Sequence, residues 1–229
     1  MKVKEEEKER RAGRDACAPA SDPAMRGWHD RGYLPHYDGG EINQFITVHL
    51  GDALPKSVID RWKLELERET DEEKKKQLYW RAEKYIDQGY GKCYLRLEQV
   101  AIILREAFKH YDGVKYTLIA WVIMPNHFHI LLRPFEGVAL EKIVHSIKSY
   151  SAQQANKLLG RSGKFWQEEY FDRYIRDARH FAATVRYIEM NPVKAKLCAT
   201  PEDWVFGSAS ERRLTGSAGI PARLSKEQE

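Results

Sequence analysis

The stretch Trp121-Val-Ile-Met-Pro-Asn-His-Phe-His-Ile-Leu-Leu-Arg-Pro134 is typical of two apolar strands joined by a turn. Residues 116–123 are rich in β-branched and aromatic side chains, which favour strands. Proline and asparagine at the centre of the stretch are turn formers, because proline presets φ and asparagine tolerates turn dihedrals. Side chains alternate across a strand, so His127 and His129 are predicted to share one face while the residues between and after them point into a core.

Two imidazoles held side by side on a hairpin form half of a metal site, because the backbone of a hairpin is rigid. The alternative is a histidine pair on a solvated or hydrogen-bonded sheet face. The hairpin alone does not separate these two interpretations, and a second segment near the C-terminal end of the chain is needed.

Composition limits the classes of protein that fit. The chain has 229 residues, of which 42% are hydrophobic and 31% charged, with a formal net charge of +4. This predicts one domain with tails, and the small positive charge is compatible with a nucleic-acid partner without indicating one by itself. The three cysteines lack CxxC spacing, which argues against a zinc knuckle or a disulfide framework. No membrane span or signal peptide is predicted, so we expect a soluble cytoplasmic protein, associated with the nucleoid if it binds DNA.

The chain divides into three predicted regions. Residues 1–27 form a charged N-terminal tail with few core residues, predicted to be disordered, and residues 212–229 form a flexible C-terminal tail. Between them lies a single domain, residues 28–211, that contains a helical insertion at residues 55–92. The domain's elements are predicted in this order: a strand at 44–50, helices at 55–85 and 97–111, the hairpin, a helix at 140–159, a partly strand-like segment at 165–176, and a helix at 178–191. This order predicts an α+β domain in which helices cover mainly one face of an antiparallel sheet.

The predicted helix at 178–191 carries the second half of the site. Asp177 is its expected N-cap, and Pro192 is expected to end it, because proline disfavours helical geometry at the residue before it. Tyr187 and Asn191 are four residues apart and therefore share one helix face. The alternatives are a helix C-cap role for Asn191 and a half-buried core position for Tyr187. Together with the histidine pair, the Asn191 amide oxygen would complete a metal site one helical turn from a tyrosine hydroxyl.

The donor set of this site indicates its chemistry. A tyrosine with an ordinary pKa of about 10 is a poor nucleophile unaided. A divalent ion compensates by polarising a phosphate and neutralising developing charge. Mixed nitrogen and oxygen ligands favour Mn²⁺ or Mg²⁺, whereas zinc prefers further histidine or cysteine ligands that are not nearby in sequence.

The segments Met124-Pro-Asn-His-Phe-His-Ile-Leu-Leu132 and Tyr187-Ile-Glu-Met-Asn-Pro-Val-Lys-Ala195 closely resemble the REP-associated tyrosine transposases, which belong with the single-tyrosine HUH transposases of bacterial insertion sequences. The resemblance covers roughly residues 30–210. Further landmarks are residues 31–36, 166–167, 170–173 and 204–208. His-x-His alone is a weak motif, but its conjunction with Tyr-x-x-x-Asn-Pro is specific.

The resemblance implies a ferredoxin-like HUH domain that cuts and rejoins single-stranded DNA. It implies that His127, His129 and Asn191 bind a divalent metal, Mg²⁺ or Mn²⁺. It also implies that Tyr187 attacks a DNA phosphate to give a 5′-phosphotyrosine link and a free 3′-hydroxyl. Related insertion-sequence enzymes often have glutamine where Asn191 stands, and asparagine before proline favours the REP-associated branch. The insertion at 55–92 departs from the compact form of the family.

The partner implied by the resemblance is single-stranded DNA that contains palindromic hairpin repeats. Such sites combine basic grooves with aromatic platforms. The sequence leaves open whether the protein is a monomer or a homodimer. It also leaves open whether the aromatic residues of this region belong to the hydrophobic core. The candidate DNA-binding residues are Lys148, Arg161, Lys164, Trp166, Arg173 and Arg176.

Two other functions remain open from the residues alone. One is a catalytically silent nucleic-acid-binding module, which would need neither the tyrosine nor the metal donors. The other is a phosphoesterase that uses water, with Tyr187 in a structural role. A covalent protein–DNA adduct distinguishes the transposase-like enzyme from both.

Overall fold

The computed structural model describes residues 27–30 and 35–216. The predicted N-terminal tail lies outside these residues except for position 27, and so do residues 31–34 of the first landmark and residues 217–229 of the predicted C-terminal tail. The first described elements are two antiparallel strands that pair with each other, β1 (Gly27–Asp30) and β2 (Pro35–Asp38).

A four-stranded antiparallel sheet forms the centre of the domain. Its strands are β3 (Gln44–His49), β4 (Tyr116–Ile123), β5 (His127–Pro134) and β6 (Phe171–Tyr174), in the order β4-β5-β3-β6. The predicted hairpin is therefore confirmed as β4 and β5, which pair directly across the turn.

Six α-helices accompany the strands within residues 27–30 and 35–216. They are α1 (Lys56–Glu65), α2 (Asp71–Ile86), α3 (Glu98–Lys109), α4 (Leu140–Leu158), α5 (Ala178–Lys194) and α6 (Ser208–Thr215). The series β3-α3-β4-β5-α4-β6, with this strand order, is the βαββαβ arrangement of the ferredoxin-like fold. The predicted α+β class is confirmed, and α1 and α2 are inserted between the first strand and the first helix of that arrangement.

One face of the sheet carries the main hydrophobic core. Alternate residues of β3 and β5, including Ile46, Val48, Phe128 and Ile130, are all at most 1% exposed on this face. Helices α3 and α4 cover it with their own apolar residues. Each fully buried aliphatic or aromatic side chain contributes roughly 1.5–3 kcal/mol to stability, so this layer fixes the register of the strands.

Helix α5 covers the opposite face. Val185 and Ile188 pack against Val122 and Leu131, which alternate with the core residues of β4 and β5. Helices α3 and α4 therefore lie on one face of the sheet, and α5 lies on the face that holds the histidines. Asp177 caps α5 as predicted, because its Oδ1 accepts from the His180 N–H at 2.7 Å.

The predicted end of this helix is wrong. Helix α5 continues through Pro192 to Lys194, with hydrogen bonds from Ala195 N to Asn191 O at 3.0 Å and from Leu197 N to Pro192 O at 2.9 Å. Proline removes its own N–H bond and crowds the carbonyl four residues earlier, but here this local cost does not end the helix, because the following residues resume the helical pattern. Asn191 consequently lies inside the helix and is not its C-cap.

The inserted helices form a small core of their own. Ile59 of α1 and Ala82 and Ile86 of α2 pack with Leu54 and with Phe171 of β6. The prediction of a helical region is correct in type, but residues 66–70 form a non-helical segment that separates two helices.

The C-terminal segment lies along the outer edge of β4. Ile123 N donates to Phe206 O at 2.9 Å, Trp121 N donates to Ser208 Oγ at 3.2 Å, and Val122 forms an isolated bridge with Gly207. Helix α6 follows directly and runs to Thr215, four residues past the predicted end of the domain at residue 211. None of the helices among residues 27–30 and 35–216 is long and apolar enough to cross a membrane.

Candidate active site

Five buried polar side chains lie on the sheet face that α5 covers. Thr47 and His49 come from β3, His127 and His129 from β5, and Asn191 from α5, and each is only 1–2% exposed. The strand register places Thr47 opposite His129 and His49 opposite His127. Buried polar groups need partners, so their hydrogen bonds define the site.

His129 is held at both ring nitrogens. Its Nδ1 lies 2.8 Å from Thr47 Oγ1, and its Nε2 lies 3.2 Å from Asn191 Nδ2. An amide nitrogen can only donate, so Nε2 accepts and Nδ1 carries the proton that it donates to the threonine hydroxyl. For Asn191 to present its oxygen at this point, its amide must turn over about its terminal bond.

His127 is oriented by its neighbour in the turn. Its Nδ1 lies 2.8 Å from Asn126 Oδ1, which can only accept, so Nδ1 carries the proton. The Asn126 amide is itself fixed, because its Nδ2 donates to Ile86 O at 3.0 Å and to Tyr90 O at 2.9 Å. The unprotonated Nε2 of His127 therefore faces the unprotonated Nε2 of His129 at 3.1 Å. Two lone pairs at this distance repel unless a cation lies between them.

A carboxylate completes the group. Asp87, directly after α2, places Oδ1 3.7 Å from His127 Nε2, and the ligand atoms of Asp87, His127 and His129 all lie within 4.8 Å of one another. Two imidazole nitrogens and a carboxylate oxygen form a donor set suited to a divalent cation of the first transition row or to Mg²⁺. The residues present therefore fit a divalent cation.

Tyr187 stands beside these donors. Its ring centroid is 5.4 Å from that of His129 and 5.9 Å from that of Phe45, both in edge-on contacts. Lys194 Nζ lies 4.7 Å from the centroid of the same ring. The tyrosine is half-buried, so its ring is fixed by packing while its side chain keeps access to solvent. The structure thus brings together all four residues predicted to form the centre, namely Tyr187, His127, His129 and Asn191.

Burial keeps the histidines neutral. Burial lowers the pKa of His129 to about 3, with the nearby Lys194 charge acting in the same direction, and it lowers the pKa of His49 to about 4. Burial, His129 and His49 together hold the pKa of His127 well below its usual range. Neutral imidazoles are the form that binds metal ions.

The pKa values of the phenol and carboxyl groups shift upward instead. Burial raises the pKa of Tyr187 above its usual value, and the negative charges of Glu83 and Asp87 add to that shift, while Asn191 and Arg173 oppose it. Burial also raises the pKa of Asp87 to about 6. At neutral pH the protein therefore presents a protonated phenol beside an ionised carboxylate and neutral imidazoles.

These shifts predict acid sensitivity of the metal-free protein. In the unfolded chain His49 takes up a proton near pH 6.5, whereas in the folded chain its pKa is lowered to about 4, so it stays neutral until the pH falls that far. Stability is therefore full above pH 6.5 and falls as the pH drops towards 4. We expect His49 to account for a loss of roughly 2 kcal/mol between pH 7 and pH 5. Asp87 opposes the trend, because a raised carboxyl pKa makes the folded state bind a proton in that range.

Urea unfolding in EDTA at pH 7 and pH 5 measures this loss. In His49→Gln the difference between the free energies of unfolding at pH 7 and at pH 5 should shrink by roughly 2 kcal/mol, whatever the substitution does to stability at pH 7. The matched control is His145→Gln, which removes an exposed histidine of α4 and should leave the difference unchanged. The prediction would be contradicted if the free energy of unfolding changed equally between pH 7 and pH 5 in His49→Gln and in the wild type.

Trp166 does not fit its predicted role in DNA binding. It is 4% exposed, its ring packs edge-on against Phe128 with centroids 5.3 Å apart, and its Nε1 donates to Ser151 Oγ at 3.0 Å. A ring enclosed in the main core cannot stack on a base. The alternative that the aromatic residues of this segment are core is correct for Trp166, and also for Phe165, which is 3% exposed.

The basic candidates fall into separate groups. Lys148 Nζ donates to Glu168 O at 2.6 Å, Lys164 Nζ pairs with Glu168 Oε2 at 3.0 Å, and an Arg161 nitrogen donates to Lys164 O at 3.0 Å. Burial lowers the pKa of Lys148 to about 8, and the neighbouring Lys164 charge adds to that shift. This group therefore already has protein partners and carboxylates around it.

Arg173 lies closer to Tyr187. It stands opposite Phe45 in the sheet, on the same face as the histidines, and its charge acts on Tyr187. Arg176 follows at the start of the turn into α5 and is exposed. Of the six DNA-binding candidates, the structure associates Arg173 with the tyrosine.

Comparison with known proteins agrees with this geometry. Residues 90–191 match the family described as "Transposase IS200 like". This segment therefore resembles the IS200-like transposases. It contains the hairpin histidines, Tyr187 and Asn191, whereas Asp87 precedes the matched segment.

The chain is also similar to two proteins with more specific names. A Haemophilus influenzae protein with the provisional name REP-associated tyrosine transposase is 25% identical over 114 residues, a match that covers 45% of this chain and 63% of the relative. The match thus spans less than two thirds of that relative. A solved structure of a REP-associated tyrosine transposase bound to a REP hairpin superposes with a TM-score of 0.52 at 21% identity, covering 84% of this chain and 88% of the other. The predicted resemblance is confirmed, and the structural match shows a shared fold.

Proposed function

We propose that this protein is a transposase-like enzyme that cuts and rejoins single-stranded DNA at REP-type hairpin repeats, with Tyr187 as the nucleophile. The observation that carries this proposal is the meeting of Tyr187 and Asn191 of α5 with the two histidines of β5 on one sheet face. The Asn191 amide lies 3.2 Å from His129 Nε2, and the rings of Tyr187 and His129 are 5.4 Å apart. Neither a silent binding module nor a structural tyrosine requires that arrangement.

His127, His129 and Asn191 would hold a divalent cation, Mg²⁺ or Mn²⁺. When bound, such an ion supplies Lewis-acid stabilisation to a phosphate oxygen. Thr47 and Asn126 hold the two imidazoles so that both Nε2 atoms face the same point. Partners of this kind tune metal sites strongly, because they fix the tautomer and the ring orientation of each ligand.

The chemical step uses the phenol of Tyr187. Its oxygen attacks the phosphorus of a DNA phosphodiester, the bond from phosphorus to the 3′ oxygen breaks, and a 5′-phosphotyrosine link forms. The phenol proton is released as the bond forms, and the leaving 3′ oxygen takes up a proton to become a hydroxyl. The ester conserves the energy of the broken bond, so attack by another 3′-hydroxyl reverses the step without ATP.

The proposed partner follows from fold and charge together. The solved relative of the same fold is bound to a REP hairpin. Arg173 stands beside the nucleophile, where a guanidinium can pair with a phosphate. A single strand is favoured because a nucleophile packed on a sheet needs an unstacked, accessible phosphate.

A covalent-trapping assay tests the proposal. The full chain is incubated with single-stranded DNA that contains a REP-type hairpin and flanks, labelled at either the 5′ or the 3′ end, with Mn²⁺ or with EDTA. We expect a denaturation-resistant adduct that requires metal and retains the 3′ label, while the 5′-labelled fragment is released. The fully paired duplex of the same sequence is the control and should give no adduct.

Other outcomes would reject the proposal. Cleavage without an adduct would identify water as the nucleophile. Hairpin binding with neither cleavage nor adduct, across a panel of repeats, would favour the catalytically silent binding module.

A further inference from the structure

We infer that Asp87, supplied by the inserted helices, is a further protein ligand of the divalent cation beside His127 and His129. This inference rests on the proposed metal-dependent function and adds a residue to its site. The family match begins at residue 90, so this ligand comes from a part of the chain that precedes the matched transposase segment. The insertion would then complete the active site.

The distances fit a shared ion. Donors of one octahedral cation with bonds of about 2.1 Å stand roughly 3 to 4 Å apart. The two Nε2 atoms are 3.1 Å apart, and Asp87 Oδ1 is 3.7 Å from His127 Nε2. A carboxylate also brings the negative charge that two neutral imidazoles lack, and hard cations such as Mg²⁺ and Mn²⁺ prefer oxygen donors.

The position of Asp87 is built into the fold. Ile86, the residue before it, is 1% exposed in the core of the inserted helices. The carbonyls of Ile86 and Tyr90, on either side of Asp87, both accept from the Asn126 amide, and Asn126 also orients His127. One asparagine therefore ties the carboxylate-bearing turn to the histidine hairpin.

A role in helix stability does not account for this carboxylate. Asp87 is the C-cap of α2, at the negative end of the helix dipole, where an acidic side chain is unfavourable. Its side chain is 41% exposed, while the imidazole that it faces is 1% exposed. The donor group is thus open on the Asp87 side, where a phosphate oxygen can approach.

Mn²⁺ binding without DNA tests the inference. The full chain is stripped with EDTA, dialysed and titrated with Mn²⁺, and free Mn²⁺ is followed by electron paramagnetic resonance. We expect Asp87→Asn to weaken Mn²⁺ binding at least about tenfold, a loss that even outer-shell partners of a metal site produce. Glu73→Gln is the matched control, because it removes the same charge from an exposed position of the same helix, and its affinity should equal that of the wild type.

Thermal unfolding in EDTA separates a ligand from a structural residue. The Asp87→Asn midpoint should be no lower than that of the wild type, because the substitution relieves an unfavourable charge at the helix end. A lower midpoint, or unchanged Mn²⁺ affinity, would overturn the inference.

The trapping assay on the same wild-type preparation keeps the two proposals distinguishable. A wild-type adduct with unchanged Mn²⁺ binding in Asp87→Asn would remove Asp87 from the site and leave the proposed function intact. Weakened Mn²⁺ binding in Asp87→Asn without any wild-type adduct would support the ligand and reject the tyrosine chemistry.

Discussion

Tyr187→Phe should form at least about a thousandfold less covalent adduct with a hairpin substrate than the wild type. The substitution removes the phenol oxygen and keeps the ring that packs against His129 and Phe45. Non-covalent hairpin affinity, measured by fluorescence anisotropy, should stay close to that of the wild type. The loss would then belong to the bond-forming step.

The control for this variant is Tyr150→Phe. Tyr150 lies on α4, on the opposite side of the sheet, and is 49% exposed. Loss of the Tyr150 hydroxyl should leave the amount of covalent adduct unchanged. An adduct that persists in Tyr187→Phe would assign the nucleophile to another residue and would remove the main support for the tyrosine mechanism.

His129→Gln should lower metal-dependent adduct formation at least about a hundredfold. His129 Nε2 is the shared neighbour of His127 Nε2 and the Asn191 amide, at 3.1 and 3.2 Å, so its loss affects every predicted ligand. Glutamine is chosen because it retains a polar side chain of similar size opposite Thr47. Adduct yield as a function of Mn²⁺ concentration measures the effect.

A comparison with His145→Gln shows whether loss of a histidine as such matters, since His145 is exposed on α4. The thermal midpoint in EDTA shows whether His129→Gln is folded. A folded His129→Gln protein with the wild-type Mn²⁺ dependence would exclude His129 from the metal site.

Local patterns predicted the parts of this site that lie close together in sequence. The alternation around His127 and His129 gave both histidines the correct face, because strand geometry leaves a side chain only two directions. The four-residue spacing of Tyr187 and Asn191 gave their common helix face for a similar reason. Pro192 misled, because the rule for the residue before proline is weaker than the packing of Val185 and Ile188 that holds the helix to the sheet.

Contacts between distant segments were beyond the reach of those patterns. Asp87 meets His127 across 40 residues, and a single aspartate after a charged helix has no distinguishing sequence signal. Thr47 and His49 did have one, since they are polar residues that alternate with the apolar Ile46 and Val48 in a strand. Trp166 shows the converse limit, because an aromatic residue among basic ones has the same composition whether its ring faces DNA or the core.

The segment at residues 204–208 limits how copies of this protein can associate. Edge strands with free backbone groups are templates for pairing with another chain. Here the Ile123 N–H already donates to Phe206 O, and the Ile123 carbonyl accepts from Trp204 Nε1 at 3.0 Å. A second copy cannot extend the sheet through this half of β4 without first displacing its own C-terminal segment. Any homodimer that keeps this segment in place must be joined through another surface. A chain truncated before residue 204 would expose an unpaired edge of β4 that can pair with another chain.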